Sequence, residues 1–339
     1  MQNICPVRIF QLTELLSREL ACRGAIPGAT GLVLIEQEDS NILRVKNVSH
    51  FFMCHSFNNT RYVFTTSIVS ICSCVFSNLN LPSGNGGSIL YTKSGSLEIY
   101  STMFHNSSTS FSNEGGAIYF TGKNYNLSNI CFSACSASIA GAYYSSGNAN
   151  ITFSTLIGCY SKSQDTTRTH NGYIIANNMN STSNIAGGDG GGLEFSLVKY
   201  PIITLLTIAL NKAPGIFTTW YVTTAPAAVS HINIINNIPS SSLLYIANSW
   251  SYNNTVFYGN SGKVTYVYSG SVKFYHCLFS AVPETSSVTT YMCSIINTCD
   301  TIHISHLNTA FCEVNDYMPT AAHRGFKNIA MFVMLLLNK

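Results

Sequence analysis

Charge is scarce in this chain. Only 9% of its 339 residues are Asp, Glu, Lys or Arg, against about a quarter in ordinary soluble domains. The 17 basic and 14 acidic residues leave a formal net charge of +3, and no basic cluster stands out. Such a field is too weak to gather nucleic acid or an anionic membrane surface, so no nucleic-acid partner is expected. Long apolar runs are missing as well. The C-terminal run Ile329–Leu337 has nine residues, under half of the about 20 that a membrane-crossing helix needs, so no transmembrane span is expected. Residues 1–20 carry Glu14, Arg18 and Glu19. They lack a basic segment followed by an unbroken apolar one, and do not read as a secretory signal.

The cysteines show no disulfide-framework spacing. There are 12, but Cys72 and Cys74 lie two apart and Cys131 and Cys135 four apart. Neither pair belongs to a CxxC array, so neither a metal nor a cofactor is expected. Without an export signal, free thiols filling small apolar slots are the default; pairing stays open. N-x-[ST] sequons occur at Asn47, Asn58, Asn106, Asn126, Asn150, Asn180 and Asn253. They matter only if the chain enters a secretory route.

What is present is aromatic, hydroxyl and amide chemistry on a repeat. An apolar-x-apolar pair is followed, five residues after its second member, by a large apolar residue. The copies are Leu97, Ile99, Phe104; Ile203, Leu205, Leu210; Trp250, Tyr252, Phe257; and Val272, Phe274, Phe279. Related segments place Phe57, Phe76 and Phe132. A second landmark is a glycine corner opening GGSILY (Gly86, Gly87), GGAIYF (Gly115, Gly116), GAYYSS (Gly141) and GGLEFS (Gly191, Gly192). It precedes the next apolar pair by ten or eleven residues.

Two landmarks in fixed register mean one strand each on different walls of one coil. Repeats of 19 to 28 residues cannot bury a core alone and must stack. No helix-length segment separates the strands, which excludes α/β units. The expected fold is all-β: a right-handed parallel β-helix over residues 31–318. Residues 1–30 are expected to form a short N-terminal capping helix, with Val7, Phe10, Leu15 and Leu16 on one face. Residues 319–339 would be an apolar tail or cap.

Catalytic signatures are thin. Residues 40–283 hold five acids: Glu98, Glu114, Asp165, Asp189 and Glu194. With corners at Gly141 and Gly172 between them, Glu114 and Asp189 fall three coils, about 14 Å, apart. Glycosidase carboxyls stand about 5–9.5 Å apart. Glu98 points outward, and its expected equivalents Thr204, Ser251 and Lys273 make no acidic row. His303 and His306 face opposite sides of a strand; His55, His105 and His276 read as surface residues. No GK[ST] loop or G-x-S-x-G elbow occurs. No catalytic residue is assigned.

Gly115, Gly116, Ala117 and Ile118 match, and Gly86–Ile89 nearly match, the GGA-[ILV] marker of polymorphic outer membrane proteins of chlamydiae and of related trichomonad β-helix proteins. The family's second marker, F-x-x-N, is approximated by Phe57/Asn59, Phe76/Asn78 and Phe104/Asn106, where the spacing is two. The chain resembles that family over roughly residues 50–200. The resemblance implies a pectin lyase-like solenoid with an adhesin-like or variable-antigen role at a cell surface. It also implies partners among surface glycans or proteins of a host or neighbouring cell. The alternative is a degenerate polysaccharide lyase or glycoside hydrolase on the same scaffold.

Overall fold

The computed structural model describes the backbone of residues 34–39, 42–46, 51–53 and 56–58. It also describes residues 61–297, except 65–66, 73, 221–226 and 284–286, together with Cys312. The expected N-terminal helix and C-terminal cap lie outside these residues. The described chain is all-β, and its strands stack in parallel as a right-handed β-helix. One departure stands at the start. Leu34–Asp39 runs antiparallel to Ile42–Lys46, which then pairs in parallel with Arg61–Phe64.

Each coil has three walls. The strand Ile118–Ser133 passes along the third wall of one coil and the first and second walls of the next. Alternation decides what is buried, because successive side chains point to opposite faces. Leu97 and Ile99 are fully buried on the first wall, while Glu98 between them is partly exposed. Their column continues through Ile71, Ile99, Leu127, Ile151, Ala176, Ile203, Val229, Tyr252 and Phe274.

The second wall carries the Phe column. Phe76 stacks on Phe104 at 5.0 Å and Phe104 on Phe132 at 5.2 Å; Phe257 stacks on Phe279 at 4.9 Å. Between these stacks the column is Leu156, Ser181, Ile208 and Ile234. In the copy that begins at Ile203 the member is therefore Ile208, not Leu210. The expected triplet Ile203, Leu205, Leu210 is slipped: Leu205 and Leu210 occupy bends, with φ of 56° and 58°. By the same register Glu98 lines up with Asn126, Asn150, Ile175 and Ile202, so Thr204 is not its equivalent.

Two bend columns flank the second wall, each with one left-handed residue per coil. The first runs Ser101, Asn129, Phe153, Asn178, Leu205, His231, Asn254 and His276; the second includes Asn78, Asn106, Ala134, Ser183, Leu210 and Asn236. Asn tolerates this conformation best among non-glycine residues, which explains its abundance. The bends are fixed by stacking neighbours, so Phe153 and Leu205 fill them too.

The residue after each bend points inward to a narrow slot beside the bend's own carbonyls. There Cys135, Cys159 and Cys277 donate through Sγ to the carbonyls of Phe104, Phe132 and Tyr252 at 3.5, 3.6 and 3.4 Å. Burial pushes the Cys277 thiol up to about 12, and Cys135 well above its ordinary value. The slot-filling reading holds for these thiols, and the raised pKa keeps Cys135 and Cys277 protonated at neutral pH. Farther along the second bend the slot holds Asn184, Asn211, Asn237 and Asn260. Each Oδ1 accepts the backbone N–H of the asparagine one coil earlier: Asn184 N donates to Asn211 at 2.9 Å, Asn211 N to Asn237 at 2.9 Å, and Asn237 N to Asn260 at 2.8 Å. The amide nitrogens add a second bond along the same column. Asn211→Ala removes the acceptor of the Asn184 backbone N–H inside the core, while Asn184 Nδ2 keeps Leu156 O and Ser181 Oγ. Leaving a buried donor unpaired costs about 1–3 kcal/mol, and the bonds of Asn211 Nδ2 to Ser181 O and Asn237 Oδ1 are lost as well, so a loss of about 2–4 kcal/mol is expected in urea unfolding. A loss under about 1 kcal/mol would show the ladder to be ornamental.

The glycine corners lead into the third wall. Gly86 N donates to Glu114 O and Gly115 N to Ile139 O, so the GGSI and GGAI corners stack directly. A Cβ on Gly116 would lie 1.9 Å from Gly141 O, which is why this corner stays glycine.

Candidate functional site

The third wall turns Ile89, Ile118, Tyr143, Phe120, Phe195 and Phe217 inward. Its alternate residues form one outward row in exact register: Tyr119, Tyr144, Arg168, Glu194, Thr218, Tyr245, Tyr266. Aromatic rings stand at both ends and charge at the centre. Tyr119 stacks on Tyr144 at 5.0 Å, and Tyr245 on Tyr266 at 4.8 Å.

Asp165 joins the centre from the corner. The register aligns Asp165-Thr166-Thr167-Arg168 with Gly141-Ala142-Tyr143-Tyr144, so Asp165 replaces a corner glycine and its carbonyl accepts from Gly141 N. Gly172 is not that corner: it sits against Gly147, near the turn into the first wall. Arg168 binds Asp165 Oδ2 through Nη2 at 2.6 Å and Nε at 3.0 Å. It reaches Glu194 at 3.3 Å through the same two nitrogens. The two carboxyl side chains are 3% and 5% exposed, and Arg168 23%.

Electrostatics follow the burial. Desolvation, then Glu194, pushes the Asp165 carboxyl well above the usual range, against the pull of Arg168. Burial alone would lower the Arg168 pKa, but the two carboxylates raise it. Burial also raises Glu114 and Asp189, and burial with Arg168 lowers His170, whose Nδ1 lies 2.9 Å from Ser196 Oγ. The expected separation holds for Glu114 and Asp189 but does not extend to every pair of acids. Glu114 and Asp189 do lie coils apart, but Asp165 and Glu194 share one guanidinium. Aligning DTTRTH over GGLEFS would have placed Arg168 beside Glu194; the missing glycine hid that alignment. Among the described residues no three His, Cys, Asp or Glu side chains are grouped to hold a metal ion, and no helix is long and apolar enough to cross a membrane.

Comparison with protein-family models, with curated proteins and with solved structures finds no match to this chain. The site is thus read from its own geometry.

The sequons separate clearly. Asn106 is exposed at a bend and donates to Asn78 Oδ1 at 3.0 Å. Asn126 and Asn150 are stacked strand neighbours, joined Nδ2 to Oδ1 at 3.3 Å. Asn180 is buried, and Asn253 is half-buried within a strand. The side chain of Asn58 and all of Asn47 lie outside the described residues. Of the repeat-defining residues, Phe76, Phe104, Phe132, Phe257 and Phe279 form the second-wall stacks, and Gly86, Gly87, Gly115 and Gly116 the corners. They build the scaffold and do not enter the outward row.

One cysteine pair was not foreseen. Cys131 is bonded to Cys312, 181 residues away. Cys131 lies on the outer side of the second wall, in register with Val75 and Met103, and all three are buried together with Cys312 packed on them.

Proposed function

We propose that this protein is a non-catalytic β-helix whose lateral surface binds partners outside the cell. The outward row of the third wall carries the reading. Its closest acids are held by Arg168 and buried, whereas its rings remain at the surface. A general acid must reach the bond it protonates, and Asp165 and Glu194 are almost wholly withdrawn from solvent. Elsewhere Tyr173 and Tyr200 stack at 5.8 Å on the outside, and both are exposed. The disulfide supports an oxidising compartment. The family resemblance adds to this. Phe257 and Asn260 stand at F-x-x-N spacing, and Ile208/Asn211 and Ile234/Asn237 keep it with Ile in place of Phe.

The test is surface labelling of intact cells that express the chain, with glycosidase treatment of the labelled product. The expected result is a labelled chain whose mobility shifts, with one increment of that shift removed by Asn106→Gln. Asn180→Gln is expected to change nothing, because a glycan there has no room. A chain that labels only after lysis and shows no shift sinks the reading.

The raised Asp165 carboxyl beside Glu194 favours one second reading, an acid pair acting on polysaccharide. Release of reducing ends or unsaturated products that Asp165→Asn abolishes would establish it in place of the first.

A further inference from the structure

The core of the solenoid changes character at one level. The strand Ile118–Ser133 turns Ile118, Phe120, Tyr125, Leu127 and Phe132 inward. Two coils on, the strand Thr167–Thr182 fills the same register positions with Thr167, Thr169, Ile174, Ala176 and Ser181, all buried. Every replacement is smaller, and three of the five are hydroxyl side chains. One coil farther, Phe195, Ile203 and Ile208 stand over Thr169, Ala176 and Ser181 and restore the bulk. The rings on either side pair with the coils beyond this level. Tyr143 contacts Tyr125 and Phe132 at 6.0 and 5.4 Å, and Phe195 contacts Phe217 at 6.0 Å.

Unpaired hydroxyls collect at the same level. Tyr125 Oη, Tyr143 Oη, Ser145 Oγ, Thr167 Oγ1 and Thr169 Oγ1 are buried without a direct hydrogen-bond partner among the described residues. Ser181 Oγ, by contrast, donates to Gly192 O at 2.8 Å. The five are neighbours: Thr167 and Thr169 follow Tyr143 and Ser145 by one coil in exact register, and the Tyr125 and Tyr143 rings touch. Burial pushes the Tyr143 hydroxyl up to about 12, and Thr169 and Thr167 stand near enough to oppose that rise. None of the three is placed to bond another directly. Polar groups that face one another beyond direct reach are bridged by water.

We propose that the core between Tyr125 and Phe195 is a chamber of ordered water, bound by these five hydroxyls. A buried hydroxyl without a partner is costly, and here five stand together where the side chains are smallest. A buried water needs about two to four polar partners and room to sit, whereas an apolar void stays dry. The ligand is water and not an ion, because no charged side chain faces inward at this level. Arg168, between Thr167 and Thr169 on the strand, points outward to Asp165 and Glu194. The chamber therefore lies directly behind the charged centre of the third wall, and it does not depend on what the outer surface binds.

The sign of a stability change tests the chamber. Val has the shape of Thr without the hydroxyl. In a dry core, the double variant Thr167→Val, Thr169→Val removes two unpaired hydroxyls and raises the urea midpoint. In a hydrated core it takes two partners from water that must still serve Tyr125, Tyr143 and Ser145, and the midpoint falls. The fall is the expected result. Oxygen-17 magnetic relaxation dispersion of the full chain reads long-lived internal water, and its amplitude is expected to drop in the double variant by the signal of one or more waters. Tyr143→Phe removes only Oη and keeps the ring against Phe132. It is expected to lower both midpoint and amplitude, and it decides alone if the double variant fails to fold. A midpoint that rises, or an amplitude that stays at the wild-type value, overturns the chamber.

Discussion

Arg168→Met is expected to destabilise the fold by about 3–5 kcal/mol, the range seen when one partner of a buried ion pair is removed. The substitution keeps an aliphatic stem of similar length, so the loss comes from charge rather than from a cavity. It leaves Asp165 and Glu194, both nearly inaccessible to solvent, without the guanidinium that both contact. Two carboxyls that close cannot both stay ionised away from water. The sign of the pH dependence follows. Asp165 is already raised above its ordinary value of 3.8 by burial and by Glu194, and removing Arg168 deletes the one influence that opposes the rise. A carboxyl with a higher pKa folded than unfolded binds more protons in the native state, so stability falls as pH rises. The deficit of the variant should be small below the ordinary carboxylate range, about pH 4, and grow toward neutrality. Urea unfolding at several pH values reads this directly. A deficit that is flat with pH would mean that Arg168 contributes packing and not charge.

The same residue shows how much of the architecture was legible. Walls, corners and coil length followed from Phe spacing and glycine pairs, because large rings and tight backbone contacts tolerate few substitutes. Register was legible only where those markers survive. Between residues 150 and 240 the Phe column becomes Leu156, Ser181, Ile208 and Ile234, and a two-residue slip there is invisible to hydrophobicity alone. Leu205 and Leu210 fit the apolar pattern yet sit in left-handed bends, held by neighbouring coils rather than by their own preference. The candidate site was hidden by the missing corner glycine, which left Asp165 an isolated acid and shifted the expected corner to Gly172. The asparagine ladder was hidden differently. Its members are separated by 23 to 27 residues, and in a chain rich in Asn and Ser nothing local distinguishes a buried amide from an exposed one.

Breaking the Cys131–Cys312 bond is expected to lower stability by about 2–5 kcal/mol, the range for loss of a native disulfide. The bond closes a loop spanning 181 residues, for which the chain-entropy model gives about 5 kcal/mol. The fold makes the effect larger than a local contact would. In a stacked coil each repeat touches only its neighbours, so one end has no direct hold on the other. Cys131 sits on the coil of Leu127 and Phe132, and Cys312 follows the last described rung at Ser294–Ile295. The bond therefore ties Cys312, which follows the last described rung in sequence, back to an earlier coil, and it covers Val75 and Met103 on the outer second wall. Cys312→Ser should match the reduced wild type in melting temperature, and reductant should not lower the variant further. Amide exchange in Val75–Ser77 and Thr102–His105 should quicken in both. Cys277→Ser, by contrast, keeps a donor for the Tyr252 carbonyl and should respond to reductant as wild type does. If Cys131 and Cys312 both take up a maleimide in unreduced, denatured protein, the bond is absent and the outer second wall is covered by packing alone.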